Sequence, residues 1–275
     1  MKIVHSPSAA SHLCRQAGKK IVLVPTMGAL HTGHLALIRR ARKLAGPRGM
    51  VVVSIFVNPI QFGPKEDFSR YPRPFAKDAA LCRENGVDLI FNPSPQQMYP
   101  PGFSTYIDEG ALGDALCGRS RPGHFRGVCT VVAKLFHILT PAIAIFGKKD
   151  FQQLAIIRRM VRDLDIPVKI DALDTVREHD GLTLSSRNQY LTADERTQAP
   201  IIRRALLTGA KNIRTAKKVI PKIIATAPLA KTDYIEILDA ETLQSVTPAT
   251  KKILLAAAVF FGKTRLIDNI TIAKK

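Results

Sequence analysis

The chain has 275 residues, with 41 Lys and Arg against 22 Asp and Glu, and a formal charge of +19. Its length allows one large or two modest domains with true cores, and 46% hydrophobic residues exclude a disordered chain. No apolar run nears the ~20 residues of a bilayer-spanning helix, and His5, Ser6, Ser8, Ser11 and His12 break any leader core, so a cytoplasmic protein without a membrane partner is expected. The charge suits anionic ligands, nucleic acid or a membrane surface. With no Trp, five Tyr and no interleaving of aromatic and basic residues, a base-stacking surface is disfavoured. Lys211, Arg214, Lys217, Lys218 and Lys222 read as solvated helix faces, and no specific nucleic-acid partner is expected; a nucleic-acid-binding protein is the alternative of a different class.

Residues 21–24 read as a buried strand, with Pro25 as its end because proline has no N–H for a ladder. Residues 26–28 turn the chain, and from Gly33 onward Leu35, Ile38, Ala41 and Ala45 share one helical face. His31 and His34 thus stand at a helix start, where unpaired N–H groups and the helix dipole attract anions. Histidines three apart share one side of the first turn and offer donors to a phosphate; either also suits a plain capping or packing role. Residues 50–57 form a second buried strand, 58–74 an irregular proline-rich loop, and 75–85 a helix stopped by Gly86. Residues 87–91 are a third strand and 92–103 another proline-rich loop. The stretch 117–127 sets Arg119, Arg121, Arg126 and His124 among glycines and reads as irregular. Residues 128–139 have helical spacing, and 142–146 form a strand ending at Gly147-Lys148-Lys149-Asp150. A helix follows with Leu154, Ile157, Val161 and Leu164 as its stripe, then a strand over 168–173. This alternation predicts a Rossmann-like, doubly wound parallel sheet covered on both faces.

Past Val176 the texture changes. Thr192 with Glu195 forms a capping box for a helix running to Leu207, and 234–238, 253–261 and 266–270 read as antiparallel strands. The expected division is an α/β domain over 1–175 and a smaller α+β domain over 176–275 that closes over the site.

Ligands of open α/β sheets bind beyond the strand C-termini, and polar clusters follow three predicted strands: His31 with His34, residues 58–61, and residues 147–150. In the last, Gly147 allows close approach, Lys148 and Lys149 offer cations, and Asp150 offers a carboxylate to ribose hydroxyls or to a helix cap. Ser185-Ser186-Arg187 joins two hydroxyls to a guanidinium suited to phosphate, or is a polar linker. Gly262-Lys263-Thr264 mimics the end of a Walker A loop, but Ala257 stands where the first glycine belongs. Cys14, Cys82, Cys117 and Cys129 lack a Cys-x-x-Cys pairing and read as reduced thiols.

The 27–34 stretch resembles the nucleotide-binding signature of the pantothenate synthetase (pantoate–β-alanine ligase) family, and more distantly the His-x-Gly-His motif of nucleotidylyl transferases and class I aminoacyl-tRNA synthetases. The likeness continues in order through Phe56-Val57-Asn58-Pro59, Gln61-Phe62-Gly63-Pro64, Glu66-Asp67-Phe68, Tyr71-Pro72-Arg73, His124-Phe125-Arg126-Gly127-Val128, Phe146-Gly147, Lys149-Asp150-Phe151-Gln152-Gln153, Val176-Arg177-Glu178, Ser185-Ser186-Arg187-Asn188 and 262–269. That ordered set is specific to the family. The resemblance implies a two-step condensation: (R)-pantoate attacks the α-phosphorus of ATP to give pantoyl adenylate and pyrophosphate, and the β-alanine amine then displaces AMP. It implies ATP binding by Met27, Gly28, Ala29, Leu30, His31, Thr32, Gly33, His34, Gly147, Lys148, Lys149, Asp150, Val176, Leu184, Ser185, Ser186 and Arg187. It further implies catalytic contributions from His34, His31, Lys149 and Arg187, pantoate binding by Gln61 and Gln153, Mg2+ accompanying ATP through unassigned ligands, and a homodimer. A nucleotidylyl transferase with another acceptor is the alternative enzyme.

Two positions depart from the family pattern. Lys148 replaces an acidic or amide residue and is expected to point away from the nucleotide. Lys77 stands where some relatives carry an acidic, metal-associated side chain; Asp78 beside it is a candidate but is not assigned as a ligand.

Overall fold

The structure is a computed structural model and describes residues 1–64 and 66–274. It divides into two compact units: Met1–Lys148 with Gln152–Asp174, and Lys149–Phe151 with the chain from Thr175 onward.

In the first unit, β1 (Lys2–Val4), β2 (Ile21–Thr26), β3 (Met50–Ile55), β4 (Leu89–Phe91), β5 (Ile143–Gly147) and β6 (Lys169–Leu173) make one sheet in the order β1-β4-β3-β2-β5-β6. Every pair is parallel. From β2 the chain builds outward through β3 and β4, then returns to add β5 and β6 on the other side. The order therefore reverses between β2 and β5, the place where sheets of this kind hold ligands. The helices are α1 (Pro7–Gln16), α2 (Thr32–Ala45), α3 (Phe75–Glu84), α4 (Pro95–Met98), α5 (Cys117–Ser120), α6 (His124–Leu139) and α7 (Phe151–Asp163). Leu35, Ile38, Ala41 and Ala45 of α2, with Ala79 and Cys82 of α3, pack on Val22, Val24, Val51, Val53, Ile90 and Ile145. Leu23, Val52 and Ala144, which alternate with these, are buried as well. Burial on both faces explains why the strands read as continuous apolar runs.

Several sequence expectations give way. Strand β2 passes through Pro25 and ends at Thr26. The Ile21 carbonyl accepts from Ala142 and the Thr26 carbonyl from Phe56, so by alternation Pro25 faces the β5 side. Registered pairing with β5 ends at Leu23, and no ladder bond is asked of the proline. Helix α6 starts at His124 rather than at 128, because Gly123 (φ 78°) takes the left-handed turn that admits the chain. Short helices α4 and α5 occupy stretches read as irregular. On α7, Leu154, Ile157 and Met160 are buried, but Leu164 lies past the helix end and is 53% exposed.

In the second unit, α8 (Ala193–Gln198), α9 (Ile201–Lys211) and α10 (Ile213–Ile224) precede an antiparallel sheet, β7 (Ala230–Asp239), β8 (Lys252–Phe261) and β9 (Thr264–Ala273). The single helix expected up to Leu207 is broken near Pro200, and α10 carries Arg214, Lys217, Lys218 and Lys222 exposed, as the helix face read from the sequence. Ile202, Ala205 and Leu206 of α9 and Ile220 and Ile224 of α10 cover Leu255, Ala257, Val259 and Phe261 of β8. Gly262 (φ 55°) turns β8 into β9, so the Walker-like triplet is a hairpin turn. All four cysteines are buried thiols outside any disulfide, and all belong to the first unit. Burial pushes Cys14 up to about 11 and Cys82 and Cys129 up to about 12.

On β6, Asp171 accepts two bonds from Arg40 of α2, at 2.8 and 3.2 Å. Those bonds, reinforced by the Arg40 charge, hold its carboxyl below the ordinary value. The folded value lies under the unfolded one, so the pair stabilises above the unfolded carboxylate pKa of about 3.9 and that contribution is lost as pH falls through the folded value. Asp171→Asn should lower stability in denaturant unfolding at neutral pH, and the deficit should close as pH falls below the range in which the paired carboxylate ionises. A deficit that persists there would assign the loss to packing.

Candidate active site

The segment from Thr26 to His34 leaves the C-terminal end of β2, beside the reversal of strand order. Its backbone is tightly specified. Thr26 Oγ1 donates to the Ser54 carbonyl (2.8 Å) and accepts from Gly28 N–H (3.1 Å). Gly28 has φ 83°, and a Cβ there would lie 2.9 Å from Asp78 Oδ2 and 3.1 Å from Ile55 Cγ2. Ala29 is also left-handed, at φ 51°, a strained conformation for a residue with a side chain. Asp78 of α3 holds it there: Oδ2 accepts from Ala29 N–H (2.8 Å) and Oδ1 from Leu30 N–H (2.7 Å). Asp78 is 1% exposed. Burial raises its carboxyl above the ordinary value despite the two N–H donors. Both oxygens serve the loop, which gives a structural account of the acidic residue weighed above as a metal candidate.

His31 and His34 then close the start of α2 on each other. His31 Nδ1 accepts from Gly33 N–H (3.2 Å), and His34 Nδ1 accepts from His31 N–H (3.3 Å). Their ring centroids are 4.1 Å apart. Capping and anion handling are compatible: both Nδ1 atoms accept, so each neutral ring carries its proton on Nε2. Two N–H donors at a helix N-terminus make a site suited to phosphate.

Gln61 stands in the same unit, in a 3-10 turn (Pro59–Gln61) after β3. Its Nε2 donates to Met27 Sδ (3.2 Å), and its Oε1 accepts from Asn58 Nδ2 (3.0 Å). Asn58 is buried; it also donates to the Gly127 carbonyl and accepts from the Tyr99 hydroxyl. Gln153 is half-buried on α7. Its neighbour Gln152 is structural, bonded to Cys117 N–H and to the Leu112 and Ala115 carbonyls. Gly147 ends β5, and the Lys148 side chain is committed to Asp174.

The second unit holds the remaining candidates. Lys149 Nζ reaches Asp150 Oδ1 (3.2 Å), and the Lys149 carbonyl accepts from Asn269 Nδ2 (2.8 Å). Val176 and Leu184 are brought together, the Leu184 N–H donating to the Val176 carbonyl (3.1 Å). They close a hairpin turned at Gly181 and tied to β9 by Arg177, which bonds both oxygens of Asp268 (2.7 and 2.8 Å) and the Gly181 carbonyl. Ser185 Oγ caps the following turn (Ser186–Tyr190) by accepting from Arg187 N–H, and Asn188 donates to Glu178 and to the Thr183 carbonyl. Ser185-Ser186-Arg187 is therefore an ordered turn and not a bare linker. Sequence reasoning placed Asn58 in the polar cluster after β3 without giving it a role, and gave none to Gln152 or Asn269; all three support other groups.

The family model for pantoate-beta-alanine ligase matches residues 2–271. The chain is 53% identical to the pantothenate synthetase of Akkermansia muciniphila over 91% of each protein, and 50% identical to that of Syntrophotalea carbinolica over 98% of each. It superposes with a TM-score of 0.92 on the crystal structure of the pantothenate synthetase from Thermus thermophilus, at 45% identity over 98% of this chain and 99% of that one. The pantoate-beta-alanine ligase of Francisella tularensis, solved in complex with beta-gamma ATP and beta-alanine, gives 0.81 at 36% identity over 98% and 97%.

Asp78→Asn keeps one acceptor but turns an amide N–H group on a backbone N–H. It should cost about 1–3 kcal/mol of unfolding free energy, and hydrogen exchange at Ala29 and Leu30 should accelerate. Unchanged protection there would show that the loop does not rest on the carboxylate.

Proposed function

The chain belongs to the pantoate–β-alanine ligase family, and we propose how its residues share out the reaction. The enzyme condenses pantoate with β-alanine at the expense of ATP, through pantoyl adenylate, releasing AMP and pyrophosphate. The observation that carries the assignment of roles is the reciprocal histidine cap at the end of β2, with Gln61 bonded to Met27 of the same loop.

Adenylation spreads negative charge over the α-phosphate and the departing pyrophosphate, and donors fixed in advance to meet that charge lower the barrier. His31 and His34 supply such donors through Nε2–H, with His34 as the proton donor. Residues 27–34, Gly147, Lys148, Lys149, Asp150, Val176, Leu184, Ser185, Ser186 and Arg187 are the ATP-binding set, to which Lys149 and Arg187 bring charge. Lys148 contributes its main chain, because its side chain pairs with Asp174. Gln61 and Gln153 bind pantoate, whose hydroxyls and carboxylate need groups that both donate and accept. The second step gains chiefly from holding amine and adenylate together away from water.

Mg2+ enters with ATP. Among the described residues no group of three or more His, Cys, Asp or Glu is placed to hold a metal, and Asp78 is committed to backbone N–H groups. Its protein ligands stay unassigned, and binding through the nucleotide phosphates is a usual habit of Mg2+. The assembly is proposed to be a cytoplasmic homodimer; no described helix is long and apolar enough to cross a membrane.

Pyrophosphate exchange into ATP tests the order of steps: it should require pantoate and proceed without β-alanine. Exchange indifferent to pantoate would overturn the adenylate route. Gln61→Ala and Gln153→Ala should each weaken pantoate use by roughly tenfold or more, about 1.4 kcal/mol, with ATP binding by calorimetric titration little changed. Parallel loss of ATP affinity would move the glutamines out of the pantoate site.

A further inference from the structure

The main chain at Gln61 is held by a line of groups from elsewhere in the first unit. Glu66 accepts two bonds from Arg121, Nε to Oε1 and Nη2 to Oε2, both 2.7 Å. Arg121 Nη1 lies 2.9 Å from His124 Nε2, and His124 Nδ1 lies 2.8 Å from the Gln61 carbonyl oxygen. Chemistry fixes the direction of each bond. A guanidinium only donates, so His124 Nε2 accepts; a carbonyl only accepts, so Nδ1 donates. The partners thus require the neutral Nδ1–H tautomer of His124, the opposite of the form that the His31 and His34 caps require. His124 is 9% exposed, and the side chains of Arg121 and Glu66 are 17% and 23% exposed. Burial would raise the Glu66 carboxyl, but the Arg121 bonds and charge outweigh it and hold it below its ordinary value. The first turn of α6 also abuts this main chain, since a Cβ on Gly127 would lie 2.5 Å from the Ile60 carbonyl oxygen and 2.7 Å from Gln61 Cα. The far end of Gln61 is set independently by Asn58 and Met27.

We propose that Glu66, Arg121 and His124 form a positioning relay that sets the main chain at Gln61 and so aims its amide at pantoate. This deepens the assignment of Gln61 to pantoate and rests on it. The carboxylate orients the guanidinium, the guanidinium selects the imidazole tautomer, and the tautomer supplies the N–H that holds the carbonyl. Which ring nitrogen bears the proton is decided by the bond made at the other, as is general for histidine. None of the three needs to touch substrate.

Steady-state kinetics on the whole enzyme, with pantoate and ATP varied separately, tests the relay. His124→Asn places its amide nitrogen near the Nδ1 position and keeps the donor to Gln61. His124→Gln places its amide near Nε2 and loses that donor. The expected result is a rise of about tenfold in KM for pantoate in H124Q, with KM for ATP and the thermal midpoint nearly unchanged, and recovery of most of that loss in H124N. Glu66→Gln should move KM for pantoate in the same direction by less. An unchanged pantoate KM in H124Q, equal behaviour of H124N and H124Q, or losses for both substrates that track a lower melting temperature would each overturn the relay. Gln61→Ala separates the two levels: if it leaves pantoate KM alone, the Gln61 assignment falls and the relay with it, and if it raises KM while H124Q does not, the relay alone falls. Should H124Q not fold, Glu66→Gln and Arg121→Lys decide, a selective rise in pantoate KM supporting the relay and its absence overturning it.

Discussion

A buried carboxylate fixes the loop around which the first unit is arranged. Without Asp78, two backbone N–H groups of the 26–34 segment would face the interior unpaired while Ala29 stayed left-handed, and both are costly. The carboxylate is itself expensive to bury, as the upward displacement of its pKa shows. Its folded value exceeds the unfolded one, so its contribution to stability is greatest at low pH and is lost as pH rises through the folded value, the reverse of Asp171. The chain thus tolerates a buried carboxyl whose charged form is disfavoured in return for a rigid turn. That exchange is typical of binding loops, where local strain is compensated elsewhere.

Two histidine arrangements in the same unit illustrate how hydrogen-bond partners decide chemistry. At the start of α2, backbone N–H groups occupy both Nδ1 atoms and leave the protons on Nε2. At the start of α6, a carbonyl and a guanidinium impose the other tautomer on His124. Identical side chains at two helix beginnings therefore carry their protons on different nitrogens, Nε2 at the start of α2 and Nδ1 at the start of α6, where it holds the Gln61 carbonyl.

The parallel sheet was legible because its strands are buried on both faces and read as unbroken apolar runs, and α2 because Leu35, Ile38, Ala41 and Ala45 keep one face without interruption. Legibility ended where a rule about one residue met a particular register. Pro25 stays inside β2 because its missing N–H faces the side where pairing has already stopped. The 124–127 part of α6 was hidden by arginines and glycines that usually mark loops, although Gly123 was the signal for a helix entry. In the candidate site, His31 and His34 were singled out by their motif, and Gln61 only by the family resemblance. The support behind them was not, because Asp78 acts on N–H groups 48 and 49 residues away and Glu66 acts on Arg121 across 55. No periodicity records such distances. In the second unit, Arg177 and Asp268 are separated by 91 residues and were hidden for the same reason.

The four thiols have a consequence for how the protein behaves in the hands of a reagent. All lie inside the first unit, and for Cys14, Cys82 and Cys129 the thiolate is disfavoured by burial. Since alkylation proceeds through the thiolate, burial shields these side chains in the folded protein, and modification follows the opening of the first unit. The second unit has no cysteine among its residues, so the same chemistry is silent there. Thiol labelling thus acts as a built-in, one-sided gauge of unfolding, reading the first unit while ignoring the second.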